Sequence, residues 1–345
     1  MSKQKFFINE DELDNFQIQL LQKRIDRSMI VSGCAGSGKS ILALWKAKQI
    51  KENPQGGTYK FIVFTKSLNR YMADGIRSIG LDNENFTYFE DWKRQGYPKA
   101  DFIIVDEIQD FDKDEISKFK QAATKAFFFW GDSAQSLYGG LKKTQTIMEI
   151  SADEKLQADQ LYFNHRLPKK IAKIAAYIGQ DHELVGKCQK EGAELPRIIQ
   201  YQSIDDQLDA TMEIMKNRKI TDAGILLPSG KMVQRAYEYL SQQGLNVEAK
   251  YEDKANYRNS RFDLDFSSNN PKIMTYHSAK GLQFEAVFLP ECNVHYNDAR
   301  ASLYVAITRS YQYLYVMYSK TLSPFFDTVP NNLYETTIEG QRIEI

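Results

Sequence analysis

Residues Met29 to Ser40, MIVSGCAGSGKS, constrain the fold of this chain more tightly than any other stretch. An apolar run, Met29-Ile30-Val31, leads into Gly33-Cys34-Ala35-Gly36-Ser37-Gly38-Lys39-Ser40, which fits G-x-x-x-x-G-K-[ST] at every position. A helical pattern, ILALWKAKQI, follows at once. Strand, glycine loop and helix is the context that gives this pattern meaning. Gly33, Gly36 and Gly38 let the backbone curl so that its N–H groups converge on phosphate oxygens. Ala35 and Ser37 complete the cradle, and the start of the helix adds its partial positive charge. Lys39 is placed to reach the outer phosphates and the Ser40 hydroxyl to hold Mg²⁺. The expected ligand is a nucleoside triphosphate.

The length of 345 residues suggests about two domains, each able to bury its own core. Apolar residues make up 42% and charged residues 26%, as in ordinary soluble proteins. Lys+Arg and Asp+Glu both number 45, so no global field favours nucleic acid or membrane, although a local basic groove stays open. Cys34, Cys188 and Cys292 lie far apart with no CxxC, which argues against a disulfide framework or a zinc site. Cys34 reads as a passive small residue, though its place in the loop would suit a depressed thiol pKa. No signal-like apolar core and no membrane-length run is present, so the expected location is the cytoplasm, without a membrane partner.

Along the chain, residues 10–27 carry a helical pattern that contains Gln17, Gln19 and Gln22. Phe61 to Thr65 reads as a strand, and a polar helix with Asn69 follows. Phe102 to Val105 and Ala126 to Trp130 are continuous apolar runs, as expected of parallel strands covered on both faces. They stop on Asp106-Glu107 and Gly131-Asp132. The second half repeats the alternation. Helices are expected between Pro168 and Gly179, over 205–218 and from Lys231 to Gln243; strands at Arg197–Tyr201, Gly224–Pro228, Asn246–Lys250, Ile273–Thr275, Ala286–Leu289 and Tyr311–Tyr318. Residues 251–271 read as a loop, and the tail after 320 has no assignment. The fold class is α/β, with parallel sheets that carry their chemistry at strand C-termini. There, Asp106 is placed to hold Mg²⁺ and Glu107 to orient and deprotonate an attacking water.

IIVDEIQD, with GCAGSGKS before it and FFFWGDSAQSLYG after it, resembles the UvrD/Rep-type superfamily 1 helicases and translocases. YFNHRLPKKIAKIA, IMTYHSAKGLQFEAVFLP and LYVAITRS follow in that family's order, so the resemblance runs from about Leu13 to Tyr318. It implies two RecA-like domains, 1–160 and 161–345 with a tail from about 321, and ATP between them. Gln17 is the best match for the glutamine that reads adenine, with Gln19 and Gln22 as competitors. Gln135 resembles the sensor linking γ-phosphate to the nucleic-acid track. Arg166 and Arg309 resemble the arginines that reach the γ-phosphate, a task that suits the planar guanidinium. Phe64, Thr65, Asn69 and the base-stacking Tyr138 match the first domain's track residues; Thr275, His277 and Ser278 match the second's. His277 could equally anchor its own loop.

Several departures from that family bear on function. Tyr138-Gly139-Gly140-Leu141 lacks a second stacking aromatic, and His165 stands where a tyrosine usually packs on adenine. Ile41 follows GKS where arginine is frequent, and Gln283 replaces a glutamate near the ribose. Only residues 78–101 and 251–271 stand where larger members carry accessory domains. The resemblance therefore implies a minimal ATP- and Mg²⁺-dependent motor on single-stranded nucleic acid, DNA before RNA, moving 3′ to 5′. Two other readings stay open: an ATP-gated switch or scaffold acting on a protein partner, and an RNA-remodelling ATPase.

Overall fold

The structure, a computed structural model, describes residues 12–132, 143–192, 194–252, 260–296 and 299–338. Two compact units follow one another along the chain, the first ending at His165 and the second beginning at Arg166.

In the first unit, strands β1 (Met29–Gly33), β2 (Tyr59–Val63), β3 (Phe86–Tyr88), β4 (Ala100–Val105), β5 (Ala123–Gly131) and β6 (Asp159–Leu161) form one sheet. Its order is β3-β2-β4-β5-β1-β6, and every neighbouring pair is parallel. The helices are α1 (Asn15–Leu21), α2 (Lys39–Glu52), α3 (Lys66–Ser78), α4 (Phe89–Arg94), α5 (Lys113–Ala122) and α6 (Ile147–Glu154). Alternate strand residues point to opposite faces, which explains the continuous apolar runs. Val31, Phe61, Ile104 and Trp130 enter one core. Ile30, Ile62, Val105 and Phe129 enter the other. The second core is aromatic: Trp92 stacks on Phe119 with ring centroids 5.3 Å apart, and Phe111 meets Phe89 and Phe119 edge-on, at 4.9 Å each. Cutting one of these rings back to alanine costs on the order of 3–5 kcal/mol. Because β5 lies between β1 and β4 and all three run parallel, Gly33, Asp106 and Asp132 leave the sheet at one edge.

In the second unit, β7 (Asn164–Pro168), which carries the chain across the boundary, pairs with β8 (Cys188–Lys190). The main sheet comprises β9 (Arg197–Gln200), β10 (Ala223–Leu227), β11 (Glu248–Tyr251), β12 (Arg261–Phe262), β13 (Lys272–Thr275), β14 (Phe284–Leu289), β15 (Ser310–Tyr318) and β16 (Glu335–Ile338). Its order is β12-β11-β13-β10-β14-β15-β9-β16. All pairs are parallel except β11 with β12. The helices are α7 (Lys169–Gly179), α8 (Leu184–Lys187), α9 (Ile204–Arg218), α10 (Gly230–Gln242) and α11 (Ala299–Ile307). Both units thus have the α/β layering expected of RecA-like domains. Among the described residues, no helix is long and apolar enough to cross a membrane.

Three local expectations change. The helix expected over 10–27 is only Asn15–Leu21 among the described residues, begun by an Asp14–Gln17 capping box. The 251–271 stretch contains β12. It is held by polar side chains, which leave no apolar period to read: Asp263 accepts from Ala249 N at 2.9 Å, and Glu248 accepts from Asp265 N at 2.6 Å and pairs with Lys272 at 3.1 Å. The unassigned tail closes the sheet as β16, with Glu335 3.2 Å from Arg197.

Candidate functional site

β1 ends at Gly33 and α2 begins at Lys39. Gly36 and Gly38 take φ of 77° and 86°, left-handed values that a Cβ disfavours. Gly38 caps α2 without any side chain closing its first amides. Every carbonyl from Gly33 to Gly38 has a donor. Lys39 Nζ donates to Gly33 O at 2.7 Å and to Cys34 O at 2.9 Å. Asn164 Nδ2 donates to Ala35 O, and His165 N to Gly36 O at 3.0 Å. Gln17 Nε2 donates to Ser37 O at 3.0 Å, and Leu42 N to Gly38 O at 2.9 Å. The oxygens that would repel an anion are thus tied to protein donors, while the helix end offers amides and positive potential. Ser37 Oγ is buried with no hydrogen-bond partner, a polar atom suited to an incoming ligand. The loop fits a polyphosphate.

Ser40 Oγ donates to Asp106 Oδ2 at 2.5 Å, so the two oxygens expected to hold a metal already meet. Asp106 is fully buried, and burial raises its pKa well above the carboxylate range, with the Glu107 charge as the second cause. Two buried neighbouring carboxylates call for a cation. Mg²⁺ usually takes one or two protein oxygens together with phosphate and water, so the pair fits it. No cluster of three or more His, Cys, Asp or Glu side chains suited to a metal occurs among the described residues. Glu107 adopts φ 59° and ψ 42°, a left-handed conformation rare outside glycine and commonly found at functional positions. Gln109 Nε2 donates to Glu107 Oε2 at 2.5 Å, while its Oε1 accepts from Asp132 N at 2.9 Å. The Asp132 carboxylate lies 4.0 Å from Lys39 Nζ.

The first unit's α1 braces this loop. Gln17, expected to read the adenine edge, is buried, and both ends of its amide are engaged: Nε2 holds Ser37 O, and Oε1 accepts from Asp14 N at 3.0 Å. Gln19 and Gln22 are exposed. Asp14, not among the sequence candidates, brings its Oδ2 to 2.6 Å from His165 Nε2. The buried Lys46 of α2 grips the other end of α1, donating to Leu21 O at 3.2 Å and Lys23 O at 3.0 Å.

In the second unit, Arg166 and Arg309 meet at Thr308. Arg166 Nη2 donates to Thr308 O at 3.1 Å. Arg309 is 2% exposed and closes the C-terminal end of α11, donating to Val305 O at 2.9 Å and to Thr308 Oγ1 at 3.0 Å. A cation at a helix C-terminus satisfies carbonyls the helix cannot. Gln283, half-buried, comes immediately before β14. Thr275 and Ser278 share one turn after β13: Thr275 Oγ1 accepts from Ser278 N at 3.2 Å. His277 lies in the same turn, its pKa lowered by burial and then by the Lys280 charge, so its ring is neutral at neutral pH.

Residues 272–317, from β13 into β15, match the family model described as the UvrD-like helicase C-terminal domain. Over 235 residues the chain is 26% identical to a protein of Mycoplasma pneumoniae (strain ATCC 29342 / M129 / Subtype 1) described as a probable DNA helicase, covering 63% of this chain and 43% of that one. Over these segments the chain is similar to UvrD-like DNA helicases. The chain is also 40% identical over 79 residues to Gabija protein GajB of Bacillus cereus (strain VD045), covering 21% of the chain and 16% of GajB. It spans less than half the length of either relative. Among solved structures, the C-terminal domain of a possible DNA helicase from Lactobacillus plantarum WCFS1 aligns with a TM-score of 0.39 and 21% identity, over 50% of this chain and 98% of that domain.

The segment that matches the family model contains Thr275, His277, Ser278, Gln283 and Arg309. In the first unit, Phe64 is half-buried and meets Phe111 edge-on at 5.1 Å. Thr65 caps α3, accepting from Leu68 N at 3.1 Å. Asn69 lines an open cavity of about 450 Å³ with Tyr88, Asp91 and Arg94. Gln135 and Tyr138 lie outside the described residues. Asp14, Lys46, Gln109 and Thr308 were missed as site residues because each acts on another side chain or on backbone. The capping spacing of Asp14 with Gln17 left a signal in sequence, as did the place of Gln109 in Asp-Glu-x-Gln-Asp and of Thr308 in LYVAITRS, but none of these named the partner.

Proposed function

We propose that this chain is an ATP- and Mg²⁺-dependent motor that translocates on single-stranded nucleic acid, DNA in the first instance, in the 3′ to 5′ direction. The observation that carries the reading is the run of contacts Ser40–Asp106–Glu107–Gln109 beneath a phosphate loop whose carbonyls are all engaged. Lys39 would exchange Gly33 O and Cys34 O for the outer phosphates. Ser40 and Asp106 would hold Mg²⁺, which when bound withdraws charge from the phosphate oxygens. Glu107 would take the proton of the attacking water, a task for which a buried carboxylate beside a cation is suited. Arg166 and Arg309 would supply positive charge late in the cycle, once Arg309 leaves its helix cap. Thr65, Asn69, Thr275 and Ser278 would contact the strand.

The test is steady-state ATP turnover with and without single-stranded DNA and RNA of matched length, with Glu107→Gln as the blank. Loss of a general base lowers kcat by about 10²–10⁴-fold, and nucleotide binding should persist. Stimulation that fades with rising salt supports phosphate contacts on a track. If turnover depends on Glu107 yet ignores both polymers, the reading fails. A switch acting on a protein partner then takes its place. One observation favours that second reading: Arg309 is fully committed inside its own unit.

A further inference from the structure

Gln109 does more than fill space between two strand ends. It is fully buried in the short 3₁₀ turn after β4, three residues beyond the expected metal carboxylate. Its amide is used at both ends, and the polarity of each end is fixed. The Nε2 donor meets the Glu107 carboxylate at 2.5 Å, and the Oε1 acceptor takes the backbone N–H of Asp132 at 2.9 Å. Asp132 is the residue at which the chain leaves β5, and its own carboxylate faces Lys39 at 4.0 Å. One side chain therefore joins the end of β4 to the end of β5. Fit is tight around it: a Cβ built on Gly131 would lie 2.4 Å from Gln109 Oε1, so the amide has little room to swing. Glu107 has an unusual backbone conformation, and one carboxylate oxygen is held by this amide donor. A carboxylate fixed in this way presents its other oxygen in a defined direction, as deprotonating a water requires.

We propose that Gln109 is a positioning residue, which sets the orientation of the Glu107 carboxylate and makes it depend on where the end of β5 stands. A shift of β5 at Asp132 would be passed through this amide to Glu107. The inference rests on the ATPase reading above, which it deepens by naming how an event at the end of β5 reaches the site of water attack.

The experiment compares wild type, Gln109→Met and Gln109→Glu by ATP turnover with and without an oligodeoxythymidylate, by affinity for a fluorescent ATP analogue, and by thermal unfolding. Met keeps the length and volume and loses both hydrogen bonds. Glu keeps the acceptor for Asp132 N but cannot donate to Glu107. Both variants are expected to bind the analogue and show KM within about three-fold of wild type. Both should lose about ten-fold or more in kcat, the size expected for a lost hydrogen bond to a charged group. In Gln109→Met the stimulation by oligonucleotide should also collapse towards one. Wild-type kcat and stimulation in Gln109→Met would overturn the proposal. So would a fall in kcat matched by an equal fall in analogue affinity and melting temperature, since that is what structural support alone gives. If wild type hydrolyses ATP without responding to the oligonucleotide, the motor reading fails, and basal kcat in the two variants still decides whether Gln109 positions Glu107.

Discussion

Both units follow a parallel strand with Ser-Gly-Lys and a helix: Ser37-Gly38-Lys39 after β1 and Ser229-Gly230-Lys231 after β10. In the first, Gly38 is the cap, its φ is 86°, and no side chain closes the helix. Ser37 stands one residue earlier and its carbonyl is drawn away by Gln17, while Lys39 is buried in the loop. In the second, Ser229 is itself the cap at φ −142°; its hydroxyl accepts from Met232 N at 3.4 Å, and Lys231 is exposed. A shift of one position in the cap turns an open, anion-ready helix end into a self-satisfied one. The tripeptide alone decides nothing, because cap chemistry depends on which residue leaves helical geometry first.

Gly38→Ser should blur this contrast most. A side chain at φ 86° costs about 1–2 kcal/mol, and the new Cβ would lie 2.6 Å from Gln17 Nε2. ATP affinity measured by calorimetry should fall on the order of 100-fold, and an unchanged affinity would mean that the open cap is not what binds.

Lys46 sharpens the contrast, since it anchors α1, the brace beneath Ser37. Burial, with the Lys23 charge second, pulls its pKa down from 10.5 to about 8. The unfolded chain therefore keeps a proton that the folded chain gives up between about pH 8 and 10.5. Below that window both states are protonated and the destabilisation is complete; as pH rises through it, stability is regained. In urea titrations wild type should gain up to roughly 3 kcal/mol on Lys46→Met between pH 7.5 and 10. A gap that does not change with pH would contradict this.

Ser229→Ala is the smallest expected effect. It removes a cap and should cost about 1 kcal/mol of stability in the second unit, with ATP turnover intact. Loss of turnover in this variant would show that the closed helix end also serves the nucleotide.

The sequence read well wherever structure is set by neighbours along the chain. The β1 loop, the buried runs at β4 and β5, and α7 between Pro168 and Gly179 follow from local periodicity, glycine and capping, and α7 indeed spans Lys169–Gly179 with Pro168 as its cap. Where polar side chains replace apolar rhythm, as at β12, a strand leaves no period in the sequence, and one that joins an edge late, as at β16, leaves no local mark.

From sequence alone came the glycine loop after β1 and the carboxylate pair at the end of β4, each resting on a few adjacent residues, and the α/β class, which rests on the alternation of apolar runs with helical periods along the chain. Only tertiary structure decided which groups hold that loop open. Asn164 and His165 reach Ala35 and Gly36 from far along the chain, Gln17 rather than Gln19 or Gln22 takes Ser37, and Gln109 joins Glu107 to Asp132. These are bonds between strand ends and loops brought together by the sheet order, and no local pattern encodes a partner that the fold must first deliver.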